Sequence, residues 1–173
     1  MAVRIIITGG TFDKQYDEIK GTLTFKDTHL PEILERVRCT LEIKMELNQL
    51  IDSLEMQPED RLHILEACRR APERQIVVTH GTDTMTETAR VLGEAGLDKV
   101  IVLTGAMVPY TFRNSDALFN LGCSIIAVQL LPPGVYITMN GKVFSWDNVY
   151  KDREKGVFRE LREEREDKLR AEV

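Results

Sequence analysis

The chain has 173 residues, of which 43% are hydrophobic, and a formal net charge of −5. This length and composition suit one globular domain with a buried core, and the negative charge argues against nucleic acid or an anionic membrane as a partner. The apolar run at residues 1–8 is too short for a signal peptide and no stretch reaches transmembrane length, so we expect a cytoplasmic protein. Three widely spaced cysteines and three scattered histidines predict free thiols and no metal site.

The first predicted strand covers Val3 to Thr8 and leads into the turn Gly9-Gly10-Thr11. Two glycines allow a sharp turn and a close approach of the backbone to a ligand, and they place Thr11 at the strand end. For an isolated G-G-T, the alternative is a plain β-turn. The polar, irregular residues that follow, up to Thr28, predict a mobile loop that closes with a short hairpin. A helix is predicted from Pro31 to Val37.

A polar cluster follows a second predicted strand, Gln75 to Val78. Its members are hydroxyl or acidic side chains: Thr79, Thr82, Asp83 and Thr84. A helical pattern begins directly after them, so the cluster lies between a strand and a helix, where ligands bind in parallel sheets. A single residue, Thr82 or Asp83, is explained as a helix cap, but the whole cluster needs a second explanation.

Apolar periodicity and turn residues predict the other elements: a strand at 43–47, a helix from Pro58, a strand at 99–103, an apolar helix at 115–130, and hairpin strands at 135–139 and 142–144 joined by Asn140-Gly141. The helix at 115–130 is apolar on most sides, which predicts burial. The charged residues 159–170 predict a solvated terminal helix, with a docking helix as the alternative.

This alternation of strands and helices is typical of a doubly wound, mostly parallel α/β sheet with helices on both faces. In such a sheet, the loops at the carboxyl ends of the strands meet at one edge. We therefore expect the loops that contain Thr11, Ser53, Thr82-Asp83 and Gly105-Ala106 to converge.

Three ordered motifs carry a resemblance to a known family. They are T-G-G-T at Thr8 to Thr11, H-G-T-D-T-M at His80 to Met85, and V-L-T-G-A-M-V-P at Val102 to Pro109, followed by Asp116, Phe119, Asn120 and Leu121. In this order and spacing, the chain resembles the bacterial-type L-asparaginase/glutaminase family from Val3 to about Phe158. The resemblance covers only the N-terminal domain of that family. It implies a flavodoxin-like domain at residues 1–158 and a charged C-terminal helix or tail at residues 159–173.

The resemblance also implies roles for individual residues. Thr11 is the expected nucleophile and Thr82 the second catalytic threonine, and Asp83 is expected to orient Thr82 and bind the substrate's α-amino group. The backbone N–H of Thr82 is an expected oxyanion donor. Tyr16 is assigned the role of the family's loop tyrosine, with a surface tyrosine as the alternative. The other expected substrate contacts are Gly10, Asp52, Ser53, Gly81 and Ala106, of which Ala106 would place the leaving amide.

The lysine that this family uses beside the second threonine has no obvious counterpart. Counted back from the predicted hairpin, its position falls near Val128, inside an apolar helix. A threonine hydroxyl nevertheless needs a partner that takes its proton. Lys151 is the best candidate because it follows a predicted strand end, and Lys142 and Lys155 are the reserves. A solvated surface charge is the alternative for Lys151.

Two further differences concern the grip on the substrate. The family commonly has G-S-Q where this chain has Asp52-Ser53-Leu54. Ser53 can still hold an α-carboxylate, whereas Leu54 cannot bind an ammonium group, and Asp52 and Glu55 are the available compensation. In the family, a neighbouring subunit's C-terminal domain completes the site, and we find no counterpart of that domain here. We therefore expect a homodimer or higher homo-oligomer, since two-fold dimers are the commonest assembly.

Hydrolysis of an amide requires an activated nucleophile, an oxyanion site and a proton donor for the leaving ammonia. The first hypothesis is therefore an L-asparaginase-type amidohydrolase that releases ammonia from L-asparagine or L-glutamine through a threonine acyl-enzyme, without a cofactor. The second is a degenerate binding or regulatory domain with little or no catalysis. The third is an amidohydrolase that acts on another small amide.

Overall fold

The computed structural model describes residues 1–171. Its elements, in chain order, are β1 (Ala2–Gly9), β2 (Gln15–Asp17), β3 (Thr22–Thr24), α1 (Leu30–Arg36), β4 (Glu42–Ile51), α2 (Pro58–Arg70), β5 (Gln75–Thr79), α3 (Met85–Glu94), β6 (Val100–Thr104), α4 (Ala117–Leu130), β7 (Gly134–Met139), β8 (Lys142–Ser145), β9 (Tyr150–Asp152), β10 (Val157–Arg159) and α5 (Leu161–Ala171). A short 3₁₀ turn at Thr11–Asp13 follows β1.

A six-stranded sheet with the order β4-β1-β5-β6-β7-β8 forms the centre of the fold. The pairings from β4 through β7 are parallel, and β8 pairs antiparallel with β7. The predicted α/β class with a mostly parallel sheet is confirmed. The ribbons β2–β3 and β9–β10 form two separate antiparallel pairs. The sequence pattern predicted the first ribbon in outline and missed the second.

Neighbouring residues of the central strands are buried on opposite faces of the sheet. Ile6 and Val78 belong to the apolar cluster that includes residues of α2 and α3, whereas Ile5 and Val77 belong to the cluster that includes residues of α1 and α4. All four side chains are fully buried. Because strands covered on both faces are apolar throughout, β1, β5 and β6 are recognisable in the sequence as continuous apolar runs.

The hairpin between β7 and β8 turns at Asn140 and Gly141, whose φ angles are 55° and 75°. Positive φ at both positions is the geometry of a two-residue type I′ turn, which favours Asn-Gly. Met139 pairs with Lys142 across it. The predicted hairpin is therefore confirmed.

Helix α4 is less buried than its composition predicts, which corrects the expectation of a helix covered on most sides. Its inner face, including Leu121 and Val128, packs in the core, but Phe119, Ile126 and Leu130 are 60%, 58% and 78% exposed. The outer face forms one wall of an apolar groove of about 640 Å³, together with Val143 of β8. Apolar composition indicates that a helix face avoids water, but it does not reveal what covers that face.

The charged C-terminal stretch forms α5, in agreement with the helix predicted for residues 159–170. Lys142 of β8 pairs with Glu163 of this helix at 3.4 Å. Residues 172 and 173 of the predicted tail lie outside the described part of the chain, and the division at residue 158 stays a prediction. Within residues 1–171, no helix is long and apolar enough to cross a membrane, and no group of three or more His, Cys, Asp or Glu side chains is arranged to hold a metal ion.

Candidate active site

Three strand-end loops touch through small residues at the carboxyl edge of the sheet. The Gly10 N–H donates to the carbonyl of Ile51, where β4 ends (3.0 Å). A Cβ atom on Gly10 would lie 2.4 Å from the Gly81 backbone, and one on Gly81 would lie 2.5 Å from Oγ of Ser53. No side chain fits at either glycine, so the loops after β1, β4 and β5 meet at backbone distance. Thr11 is the residue after Gly10, and Thr82 is the residue after Gly81. The contact between the two glycines therefore brings the backbones of the two threonines close together.

The loop after β6 joins the same cluster. A Cβ atom on Gly105 would lie 2.3 Å from the carbonyl oxygen of His80, which leaves no room for a side chain there. The Gly105 carbonyl accepts a hydrogen bond from Nδ2 of Asn120 (3.0 Å), and the Asp116 carboxylate accepts from the backbone N–H groups of the two residues after Ala106 (3.0 Å each). Ala106 is therefore buried beside the His80-Gly81 segment in a fixed loop.

Thr82 and Asp83 share one amine donor. Nζ of Lys151 lies 2.8 Å from Oγ1 of Thr82 and 2.8 Å from Oδ1 of Asp83. The Lys151 side chain is 10% exposed, and Thr82 is 6% exposed. An amine that contacts both a hydroxyl and a carboxylate can exchange a proton with the hydroxyl while the carboxylate holds its charge in place. The structure thus brings together three of the residues expected from the sequence, although their catalytic roles stay predictions.

Lys151 reaches this position because it lies on the ribbon β9–β10. Lys151 pairs with Phe158 across the ribbon, and Phe158 is buried in the core with 3% exposure. The Phe158 N–H also donates to Oδ1 of Asn140 in the β7–β8 turn (2.8 Å). One residue of the ribbon is therefore held in the core while its partner points an amine at Thr82.

Arg153 is the site residue that the sequence reasoning missed. Its guanidinium donates to Oδ1 of Asp83 (2.7 Å) and to the Asp83 carbonyl oxygen (3.0 Å). Partial burial would raise the pKa of the Asp83 carboxyl, but the hydrogen bond from Lys151 and the charges of Lys151 and Arg153 outweigh it and hold that pKa below its usual value. No local pattern marks Arg153, which lies in the turn directly after β9.

His80 is fully buried behind Gly81. Its Nδ1 lies 2.7 Å from the Gly81 carbonyl oxygen and its Nε2 lies 2.7 Å from Oγ1 of Thr88. A carbonyl only accepts, so Nδ1 carries the proton, and the ring orients the peptide unit that contains the Thr82 N–H. Burial, assisted by the charge of Arg61, lowers the pKa of His80 to about 4 despite the bond to Gly81. The ring is therefore neutral near pH 7.

We predict an acid-sensitive fold from this histidine. Because the pKa of His80 is about 4 in the folded protein and near 6.5 when exposed, the unfolded state binds more protons between these values, and stability falls as the pH drops through them. The expected loss of unfolding free energy between pH 7 and pH 5 is about 2 kcal/mol from this group. Urea unfolding at both pH values measures it.

The His80→Asn variant retains an amide donor near the Nδ1 position and should lose this part of the pH dependence. His63→Asn, at an exposed histidine of α2, is the matched control and should keep it. Equal pH dependence in the wild type and in both His80→Asn and His80→Gln would contradict the assignment.

Comparison with known proteins decides the family. Residues 2–158 match the family model described as Asparaginase, N-terminal. The chain belongs to the asparaginase family. It is 33% identical to the L-asparaginase of Thermococcus kodakarensis over 164 residues, which cover 91% of this chain and 49% of that protein. It is 32% identical to L-asparaginase 1 of Escherichia coli K12 (69% of this chain, 38% of that protein), and 31% identical to a glutamyl-tRNA(Gln) amidotransferase component of Pyrococcus abyssi (81% and 34%).

Solved structures of the family share this fold. The thermostable L-asparaginase of T. kodakarensis superposes with a TM-score of 0.81 at 29% identity, over 93% of this chain and 51% of that one. A probable cytoplasmic L-asparaginase of Campylobacter jejuni superposes with a TM-score of 0.77 at 28% identity, over 92% and 51%. The chain thus spans about half the length of these asparaginases or less, and the resemblance inferred from the three motifs is confirmed.

The segment that is expected to grip the substrate, Asp52-Ser53-Leu54, directly follows β4. Ser53 is 2% exposed, and its Oγ accepts a hydrogen bond from the Thr84 N–H (3.3 Å). Leu54 is 65% exposed beside it.

Asp52 forms an ion pair with Lys14, whose ammonium also lies 5.6 Å from the centre of the Phe25 ring. The ion pair therefore connects Asp52 to the loop after β1. The substrate contacts expected of Asp52 and Glu55 stay predictions.

Tyr16 lies on β2, in the hairpin that the sequence predicted for the asparaginase-type loop. Its side chain is 58% exposed. The start of the loop is fixed by Asp13, whose buried carboxylate accepts hydrogen bonds from the Thr28 hydroxyl (3.0 Å) and the His29 N–H (2.9 Å). The ends of the loop are thus tied together, and the roles predicted for Tyr16 and for loop closure remain open to test.

The interpretation that places the family lysine near Val128 is not supported by the structure. Val128 is fully buried in the core on the inner face of α4. Of the two reserve lysines, Lys142 pairs with Glu163, and Lys155 is exposed in the turn between β9 and β10. The amine beside Thr82 and Asp83 is that of Lys151.

Proposed function

We propose that the protein is an amidohydrolase that releases ammonia from the side-chain amide of L-asparagine, with L-glutamine as a second substrate. The observation that carries this proposal is the contact of the Lys151 amine with Thr82 and Asp83, at 2.8 Å each. The names of the relatives support the reaction class. They are L-asparaginases, of which this chain spans about half or less, and a component of an amidotransferase.

In the proposed reaction, the Thr11 hydroxyl attacks the amide carbon and forms an acyl-enzyme, while the C–N bond breaks and ammonia leaves with one added proton. The N–H of Thr82 donates to the oxyanion, and the Thr82 hydroxyl and Lys151 carry the proton. Water then cleaves the ester, which yields the carboxylic acid and frees Thr11. Gly10, Gly81, Ser53 and Ala106 line the substrate, and no cofactor is required.

A degenerate binding domain is the less favoured alternative. A domain without catalysis has no need of a nearly buried lysine held against a hydroxyl and a carboxylate. Lys151 is 10% exposed and is held by the ribbon whose other strand carries the buried Phe158. Burial of an amine requires compensation by its partners, which Thr82 and Asp83 provide.

Ammonia release tests the proposed function directly. The purified chain is incubated with L-asparagine and with L-glutamine, and ammonia is quantified in a coupled assay, with Thr11→Ala as the blank. The expected result is release from L-asparagine that exceeds release from L-glutamine and disappears in the blank. Absence of release from both amides by the folded protein would contradict the proposal.

We also propose a cytoplasmic homodimer in which the exposed face of α4 is covered by a second copy. The support is the row formed by Phe119, Ile126 and Leu130, all more than half exposed, in a groove that no charged side chain lines among residues 1–171. Apolar surface of this kind marks interaction sites, and two-fold pairing is the commonest solution. The name of the C. jejuni relative, probable cytoplasmic L-asparaginase, supports the location.

Light scattering tests the homodimer. The wild type is expected at twice the monomer mass, and Ile126→Glu at the monomer mass, because a carboxylate in an apolar contact loses its hydration. Glu94→Gln, on α3, is the control and should leave the mass unchanged. A monomeric wild type at the concentration of the activity assay would contradict this proposal.

A further inference from the structure

Two cationic side chains bond to one oxygen of the Asp83 carboxylate. Its Oδ1 accepts hydrogen bonds from both Nζ of Lys151 and NH1 of Arg153, at 2.8 Å and 2.7 Å. Arg153 also donates to the Asp83 carbonyl oxygen at 3.0 Å, so its guanidinium bonds to both the side chain and the backbone of Asp83. Two positive charges thus face the single negative charge of Asp83, and both donors share Oδ1 rather than Oδ2.

A substrate that is a free amino acid brings an ammonium group into the site, and this group needs a hydrogen-bond acceptor. Asp83 is the carboxylate expected to serve it, but an ammonium group at the remaining oxygen, Oδ2, would add a third positive charge beside Lys151 and Arg153. Leu54, 65% exposed in the neighbouring loop, has no side-chain acceptor, and Asp52 is paired with Lys14. Like charges close together are unfavourable, whereas a carboxylate near Arg153 is attracted.

We propose that this site selects amides that carry a carboxylate but no free ammonium group, and that Arg153 is the residue that determines this specificity. The substrate class is the half-amide of a dicarboxylic acid, of which succinamate, the counterpart of L-asparagine without its amino group, is the simplest probe. The inference rests on the proposed amidohydrolase function. The reaction is the same: the amide C–N bond breaks, water supplies the new C–O bond, and the products are a dicarboxylate and ammonium.

Steady-state ammonia release from succinamate and from L-asparagine tests the proposal, because the two substrates differ only in the ammonium group. The wild type is expected to show a kcat/KM for succinamate about tenfold above that for L-asparagine. In Arg153→Gln, which keeps most of the length and removes the charge, this ratio should fall by about tenfold. Lys155→Gln, in the same exposed turn, is the matched control and should keep the wild-type ratio.

Binding of the products separates this inference from the reaction itself. Calorimetry with succinate and with L-aspartate should give tighter binding of succinate to the wild type and a smaller difference in Arg153→Gln. Tighter binding or faster hydrolysis of the amino acid by the wild type, or a ratio that Arg153→Gln leaves unchanged, would overturn the inference. Absence of ammonia from either amide, with succinate still preferred over L-aspartate, would instead overturn the proposed function and leave the selectivity of the site intact.

Discussion

Replacing Thr11 with alanine is expected to lower ammonia release from L-asparagine by about a thousandfold or more, because loss of a nucleophile leaves only the rate due to binding and the oxyanion donor. Thr11 begins the 3₁₀ turn after β1, next to Gly10, which contacts the Gly81 backbone. Thr11 therefore lies on a loop that contacts the loop containing Thr82. Coupled ammonia assays at saturating substrate measure the loss.

Two variants make this result specific. Thr11→Ser keeps a hydroxyl and should retain far more activity than Thr11→Ala. Thr22→Ala removes an exposed threonine from the β2–β3 hairpin and should keep the wild-type rate, which controls for a general effect on this loop. If Thr11→Ala kept a tenth or more of wild-type release, another residue would carry the covalent step.

Lys151→Met is expected to lower kcat for ammonia release by about a hundredfold or more, because general acid–base groups contribute roughly a hundred- to ten-thousand-fold. The amine contacts Thr82 and Asp83 at 2.8 Å, and methionine keeps most of the side-chain length without a donor. Arg153 still donates to Asp83 in the variant, so the carboxylate keeps a charged partner. The fold should therefore survive, which circular dichroism and urea unfolding can verify.

The matched control is Lys155→Met, since Lys155 lies in the turn of the same ribbon and is exposed. Surface substitutions of this kind usually change stability little, and we expect a wild-type rate. A Lys151→Met protein with normal unfolding and a rate within about threefold of the wild type would reduce Lys151 to a structural ion pair, given the contribution expected from a general acid–base group.

Much of the fold follows from local sequence. The runs in β1, β5 and β6 are continuous because both faces of these strands are covered, and Asn140-Gly141 requires the turn that the structure contains. The polar cluster directly after a predicted strand indicated Thr82 and Asp83 as candidates, and the family resemblance assigned roles to them and to Thr11. The ribbon β9–β10 was missed because its strands are only three residues long and are partly polar.

The residues that complete the site depend on contacts between distant parts of the chain. Lys151 was selected from the sequence as an available amine, but its distance from Thr82 is set by the burial of Phe158 and the bond to Asn140. Arg153 meets Asp83 across a separation of 70 residues. Such pairings leave no periodic trace in a single sequence.

Apolar periodicity and short motifs were enough to establish the class of fold, the strand ends that carry polar side chains and the family, because these are local properties of the chain. Three features required the folded molecule: the amine that meets Thr82 and Asp83, the presence of Arg153 on the same carboxylate, and the exposure of the outer face of α4. Burial and ion pairing depend on what the rest of the fold brings to each side chain, and not on the side chain alone.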